Sequence, residues 1–282
     1  MSAEPVRAQI RGTTRVAAVI GWPVEHSRSP QMFAAAFAAA GIDAVMVPIG
    51  VPPEGFAQVV AGLRAMRALG ASVTLPHKLA AAALCDELSP AAREIGAVNC
   101  LELAGERLIG HNTDGHGYTD ALIAAGFPLA GARCVILGAG GAARGVSYGL
   151  RVAGAPSQTV IARRPQDVAW ADARPWQAGE LARAFAEADL IVDATPIGLG
   201  GDEAALDALP LDHLPPKAWV TTLVYHRAGR LLQRASAAGH SVLDGRGMLV
   251  HQGARAFHFW TGAPAPIVAM QHALDESITA GT

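Results

Sequence analysis

Lysine is nearly missing from this 282-residue chain. Lys78 and Lys217 are the only two among 22 basic residues; the other twenty are arginine. Charge of either sign is scarce, at 16% of residues with a net −2, against about 25% in an average soluble protein. No run of five or six like charges occurs, which excludes a basic nucleic-acid-binding domain. Cysteine is limited to Cys85, Cys100 and Cys134. Their odd number and the lack of CxxC spacing exclude a disulfide or zinc framework and suggest buried thiols in a reducing compartment. Long apolar runs are also missing: nothing reaches the ~18 uncharged residues of a spanning helix. Met1–Arg15 carries Glu4 and three arginines without an apolar core, so secretion is not expected and the cytoplasm is. Abundant Ala, Gly, Arg and Pro fit GC-rich coding, which leaves open why two positions kept lysine.

What is present is a 51% hydrophobic chain, too apolar for disorder. Short β-branched runs alternate with longer Ala/Leu-rich stretches, the pattern of an α/β architecture with a mainly parallel sheet. Strands are expected at Val16–Ile20, Ala44–Pro48, Ala71–Thr74, Cys134–Leu137, Thr159–Ala162, Leu190–Ala194 and Trp219–Val224. Val98–Leu103 and Arg107–Gly110 should pair around Ala104-Gly105. Helices are expected at Pro30–Ala40 with Ser29 as N-cap, Glu54–Ala68, His77–Leu84, Asp114–Ala125 and Ala142–Ala153, and through most of Gly247–Ala280 with a break near Gly262–Pro266. The acidic, Pro-containing stretch Gly200–Pro216 reads as a surface excursion.

The clearest unit is the strand Cys134–Leu137, the turn Gly138-Ala139-Gly140-Gly141-Ala142-Ala143 and the helix that follows. It fits G-x-G-x-x-A in the context that a dinucleotide site requires. The first glycine permits the turn, the second admits a pyrophosphate, and the third small residue lets helix and strand pack closely. The phosphates then meet a helix N-terminus. The next strand ends in Ala162-Arg163-Arg164, where an NAD site would carry Asp or Glu. Guanidinium groups suit a 2′-phosphate, so NADP is favoured over NAD; the bland alternative is two exposed arginines in an Arg-rich chain.

Four polar segments fall where loops are expected, several of them at or just beyond strand ends: His26–Pro30, Ser72–Lys78, Gly96–Asn99 and Asn112–Asp114. Their hydroxyls, amide, ammonium and carboxylate would suit a small polyhydroxylated acid, although Ser29 and Asp114 alone could be helix caps and Asn99 a turn residue. In order along nearly the whole chain stand Gly21-Trp22-Pro23 through Ser29-Pro30, Val73-Thr74-Leu75-Pro76-His77-Lys78, Ile95–Asn99, Asn112-Thr113-Asp114-Gly115, the glycine turn, Asp189–Gly198 and Gly245–Gly262. With these segments the chain resembles the shikimate dehydrogenase family.

The resemblance implies two domains, an α/β substrate domain (1–114 plus 251–282) and a Rossmann-type NADP-binding domain (115–250), with the active site in the cleft between them. It matches Lys78 and Asp114 to the catalytic pair. Ser27, Ser29, Ser72, Thr74, Asn99, Tyr225 and Gln252 fall at positions that hold the alicyclic acid. Gly138, Ala139, Gly140, Gly141, Ala142, Ala162, Arg163, Arg164, Thr195, Leu223, Gly245 and Met248 fall at positions that line NADP. The chain departs from the family pattern at Phe33-Ala34 (usually His-Asn), Ser72 (Asn), Asp193 (commonly Asn), Thr222 (Asp) and Arg227 (Pro).

The implied reaction is reversible hydride transfer between NADPH and a ring ketone, 3-dehydroshikimate to shikimate or a close analogue. Lys78 is the acid in reduction and the base in oxidation, and Asp114 holds it in place. Lysine suits this task because its charge can be switched, whereas arginine stays charged. No metal is expected; His111, Asp114 and His116 lie close in sequence but form no HExxH motif. No nucleic-acid or membrane partner is expected, and the assembly is a monomer or homodimer. Three alternatives stay open: a quinate or aminoshikimate dehydrogenase, a folate-linked dehydrogenase on a similar two-domain plan, and a non-enzymatic sensor of NADP or shikimate-type ligands.

Overall fold

The computed structural model describes residues 10–197, 203–226 and 229–279. Parts of four expectations, at Met1–Gln9, Gly198, Gly200–Asp202 and Ala280, and the departure at Arg227 lie outside them. The chain divides into two compact units, Met1–Thr113 with Val250–Thr282, and Asp114–Leu249.

In the first unit the order is β1 (Arg15–Gly21), α1 (Ser29–Ala39), β2 (Ala44–Gly50), α2 (Phe56–Ala65), β3 (Gly70–Val73), α3 (Lys78–Leu84), β4 (Glu87–Leu88), α4 (Pro90–Ile95), β5 (Cys100–Ala104) and β6 (Arg107–His111). Its sheet runs β2-β1-β3-β5-β6-β4. All neighbours are parallel except where β5 meets β3 and β6. β1 is central, and Ala17–Ile20 are buried without alternation, as a strand covered on both faces should be. β2 is an edge strand and tolerates Pro48, which has no N–H to give a further neighbour.

Ser29 is not the N-cap of α1. Arg28 holds that position, and Ser29 is the first helical residue, buried, its N–H given to the Ser27 hydroxyl at 3.3 Å. The helix expected over Glu54–Ala68 is shorter. It starts as a 3-10 turn at Pro53–Gly55 and stops at Ala65, because Arg67 takes a left-handed φ of 52° that turns the chain into β3.

The second unit contains α5 (Asp114–Ala124), β7 (Cys134–Leu137), α6 (Gly141–Val152), β8 (Gln158–Ala162), β9 (Ala173–Pro175), α7 (Ala178–Ala186), β10 (Leu190–Asp193), α8 (Ala204–Asp207), β11 (Trp219–Thr222), α9 (Arg230–Ala237) and β12 (Ser241–Leu243). Its sheet is wholly parallel, ordered β12-β11-β10-β7-β8-β9. Counted from β7, this is the 3-2-1-4-5-6 order of the doubly wound dinucleotide fold, read from the other edge.

The stretch before β11 is not simply a surface excursion. Leu206, Leu209, Leu211 and Leu214 are buried in a core with β10, β11, α7 and α9. Four leucines outweigh its acidic residues, and one of those, Asp207, pairs with Arg230 at 2.8 Å.

The chain closes with α10 (Arg246–Thr261) and α11 (Ile267–Thr279). Residues from Val250 onward belong to the first unit. There α11 packs on α1, and Phe33 and Phe37 face Trp260 and Phe257 at ring distances of 5.0 and 5.7 Å. Phe33, one of the departures, is thus a core residue. The cysteines are free thiols. Cys100 and Cys134 are buried, but Cys85 is only half-buried. Burial pushes Cys134 up to about 12 and Cys85 up to about 11. Among the described residues no helix is long and apolar enough to cross a membrane.

Candidate active site

In a doubly wound sheet the order reverses between the first and fourth strands, and the crevice beyond their carboxyl ends takes ligands. Here those strands are β7 and β10. The Gly138 N–H donates to Ile161 O at 2.8 Å, and the Ala194 N–H donates to Leu137 O at 2.9 Å. Gly138 has φ +99°, and a Cβ there would lie 3.1 Å from Ala194 O, so only glycine fits. Gly140 stands at the N-cap of α6 with no side-chain cap, and the amides of that first turn are suited to an anion.

A cavity of about 790 Å³ runs along this edge. It is lined by Gly138, Ala139, Gly140, Ala162, Arg163, Arg164, Thr195 and their neighbours, seven of the twelve positions expected to line a cofactor. Gly141 and Ala142 begin α6 and are not in the lining. Seven further lining residues were not foreseen, among them Asp167, Val168 and Trp176. Asp167 pairs with Arg164 Nε at 3.3 Å, an i,i+3 spacing visible in the sequence. Trp176 follows β9, a three-residue strand too short to leave a pattern.

The remaining expected cofactor residues gather at the end of β11. Met248, Leu223, Ala139 and Ala194 all pack against one buried core that includes Ile136 and Val192. The Gly245 N–H donates to Val224 O at 3.0 Å, and a Cβ on Gly245 would strike Leu223 O. Asp193 is buried beneath both loops and accepts from Thr195 and Thr222. Burial raises its pKa, partly offset by those bonds, and nearby Glu203 raises it further. The Tyr225 ring lies 3.9 Å from that of His226.

The first unit assembles most of the polar segments. The Thr74 N–H donates to Ile20 O at 2.9 Å, the Val73 N–H to Asn99 O at 2.8 Å and the Val98 N–H to Lys78 O at 2.9 Å. These bonds bring the ends of β1 and β3 and the approach to β5 together. Lys78 is half-buried at the first position of α3. His77 anchors that helix start. It is buried, its Nε2 lies 2.8 Å from Val51 O, and its ring stacks on Phe56 at 4.5 Å.

Asn99 is more than a turn residue. Its Oδ1 accepts from the Thr113 N–H at 2.7 Å and its Nδ2 donates to Thr113 Oγ1 at 2.9 Å. Gln252 Oε1 lies 3.5 Å from both Asn99 Nδ2 and Thr113 Oγ1. Thr113 was not among the expected residues, although its place in Asn112-Thr113-Asp114 pointed to it. Asp114 is buried as the first residue of α5. The Ser72 Oγ is buried without a hydrogen-bond partner among the described residues. An unmet buried hydroxyl costs about 1–3 kcal/mol, which a polar ligand would relieve.

Known proteins resemble this chain over almost its whole length. Residues 19–101 match the model for the shikimate dehydrogenase substrate binding domain, and residues 245–274 match the shikimate 5'-dehydrogenase C-terminal domain. Shikimate dehydrogenase (NADP(+)) of Symbiobacterium thermophilum is 39% identical over 95% of this chain and 96% of its own. The shikimate 5-dehydrogenase of Thermus thermophilus, solved with NADP(H) and shikimate, superposes with a TM-score of 0.84 at 36% identity, covering 94% of this chain and all of the other. That of Listeria monocytogenes, solved with shikimate and NAD, gives 0.86 at 32%, covering 96% of this chain and all of the other. Likeness at this level over almost the full length shows that the chain belongs to the shikimate dehydrogenase family.

Proposed function

We propose that the chain catalyses the reversible NADPH-dependent reduction of 3-dehydroshikimate to shikimate, as a monomer or homodimer in the cytoplasm. The observation that carries this reading is the cavity at the β7/β10 reversal, floored by Gly138 and Gly140 and flanked by Arg163 and Arg164. It fits a dinucleotide with a 2′-phosphate. The backbone can approach the pyrophosphate at the two glycines, and the guanidinium groups offer charge-assisted bonds to the extra phosphate. The second unit is then the cofactor domain, and the first is the substrate domain.

NADPH, when bound, supplies the hydride. Lys78 gives the proton that the new alkoxide needs and steadies the negative charge as it develops. Asp114 keeps the ammonium oriented. The Ser27 and Ser29 hydroxyls take the substrate carboxylate. Ser72, Thr74, Asn99, Tyr225 and Gln252 take the ring hydroxyls, with Asn99 and Gln252 held through Thr113. Gly141, Ala142, Leu223, Gly245 and Met248 complete the cofactor contacts.

The test is oxidation of shikimate, quinate and aminoshikimate with NADP, followed by the absorbance of the reduced nicotinamide. Shikimate should give the highest kcat/KM. A higher value with quinate or aminoshikimate would assign the chain to that activity. Tight binding of NADP without turnover of any acid would make it a sensor.

A further inference from the structure

We propose that Asp193 is a positioning residue whose buried carboxylate sets the shape of both loops that follow β10 and β11, and through them the cofactor site. The proposal rests on the NADP-dependent reading above. Asp193 ends β10 and is paired in register with Thr222, the last residue of β11. Its Oδ1 accepts from the Thr195 N–H at 3.1 Å and the Thr195 hydroxyl at 2.6 Å, and its Oδ2 accepts from the Thr222 hydroxyl at 3.1 Å.

An ionised carboxylate can only accept, so both threonine hydroxyls must donate to it. That fixes each rotor and turns its lone pairs toward the amide two residues on. The Ile197 N–H donates to Thr195 Oγ1 at 3.2 Å, and the Val224 N–H donates to Thr222 Oγ1 at 3.3 Å. One acid thereby shapes two turns. The first carries Thr195, Pro196 and Ile197, all in the cavity lining. The second carries Leu223, an expected cofactor position that packs on the same buried core as Met248 and Ala139.

The chain's departures at 193 and 222 therefore act together. The carboxylate stands one strand over from its usual place, and the partner position supplies a hydroxyl. Asp193 is 1% exposed and Thr222 5%. Thr222 is buried, outside the cavity lining, and its hydroxyl is engaged by Asp193 and the Val224 N–H, so its effect on the cofactor runs through the loop it holds.

This separation gives a clean test. Thr222→Val keeps the shape and removes the hydroxyl, and Thr222→Ser restores it. NADP affinity is measured by calorimetry, and KM and kcat are measured with NADPH. Thr222→Val should weaken NADP binding and raise the NADPH KM on the order of tenfold, with kcat changed less than twofold. Thr222→Ser should return both to within twofold of wild type. On an Asp193→Ala background, Thr222→Val should have no further effect. Wild-type constants in Thr222→Val, equal loss in Thr222→Ser, or additive losses with Asp193→Ala would each overturn the proposal. If Thr222→Val fails to fold, Asp193→Asn answers instead. It should raise the KM because its amide cannot accept from both hydroxyls, and an unchanged KM would overturn the idea. Absence of NADP binding by the wild type would overturn the cofactor reading itself, a separate outcome.

Discussion

Lys78 stands at the first position of α3, where the buried His77 ring fixes the start of the helix. Removal of its amine should leave binding largely intact and remove proton transfer. Lys78→Ala is expected to lower kcat by roughly 10²–10⁴, with NADPH affinity unchanged by calorimetry. Lys78→Arg should be nearly as poor, because guanidinium keeps its proton. Asp193 makes a second prediction at this scale. Its pKa is raised in the folded state, mainly by burial. As pH climbs from the ordinary 3.8 through the raised value, the unfolded chain loses its proton first and the folded protein loses stability. Asp193→Asn has no such loss. Its melting temperature should therefore gain on the wild type across that window and hold the gain at neutral pH; a difference that does not vary with pH would refute this. Residue types at the site were largely legible because the chemistry names them. The bonds from Asp193 to Thr222 and from Asn99 to Thr113 were not, because a hydrogen bond between distant segments leaves no local pattern.

The elements divide by how local their causes are. β7 begins and ends where its apolar run does, and α6 starts within a residue of expectation, since a glycine turn and a small-residue face mark them. β9, α7, α9 and β12 were not anticipated. β9 and β12 have three residues each and exist because a neighbouring strand pairs with them. Leu181, Ala184 and Phe185 of α7 do keep helical spacing, a signal that was there to be read. Within the first unit, α10 is pinned to the sheet by Trp260, whose Nε1 donates to Leu101 O at 2.9 Å. Trp260→Phe keeps the aromatic packing and removes that hydrogen bond. It should cost about 1–2 kcal/mol, seen as a lower denaturant midpoint at unchanged slope. A midpoint equal to wild type would show that the bond contributes nothing.

At the scale of the molecule, a cofactor that binds only the folded protein stabilises it by mass action. NADP at a hundred times its Kd should add about 2.7 kcal/mol, a rise in melting temperature of roughly 5–10 °C. NAD at the same concentration should give a smaller rise, since it lacks the phosphate that Arg163 and Arg164 would engage. Equal shifts would count against the arginine pair as the selector. The amino-acid sequence by itself determined the α/β class, the glycine turn, the arginine pair and the lysine, because each depends on residues close together in the chain. Only the tertiary structure decided that β5 runs against β3, that four leucines before β11 enter the core, and that one carboxylate holds two loops. Those outcomes depend on strand order and register, which set segments far apart in sequence side by side, and no single stretch of chain encodes them.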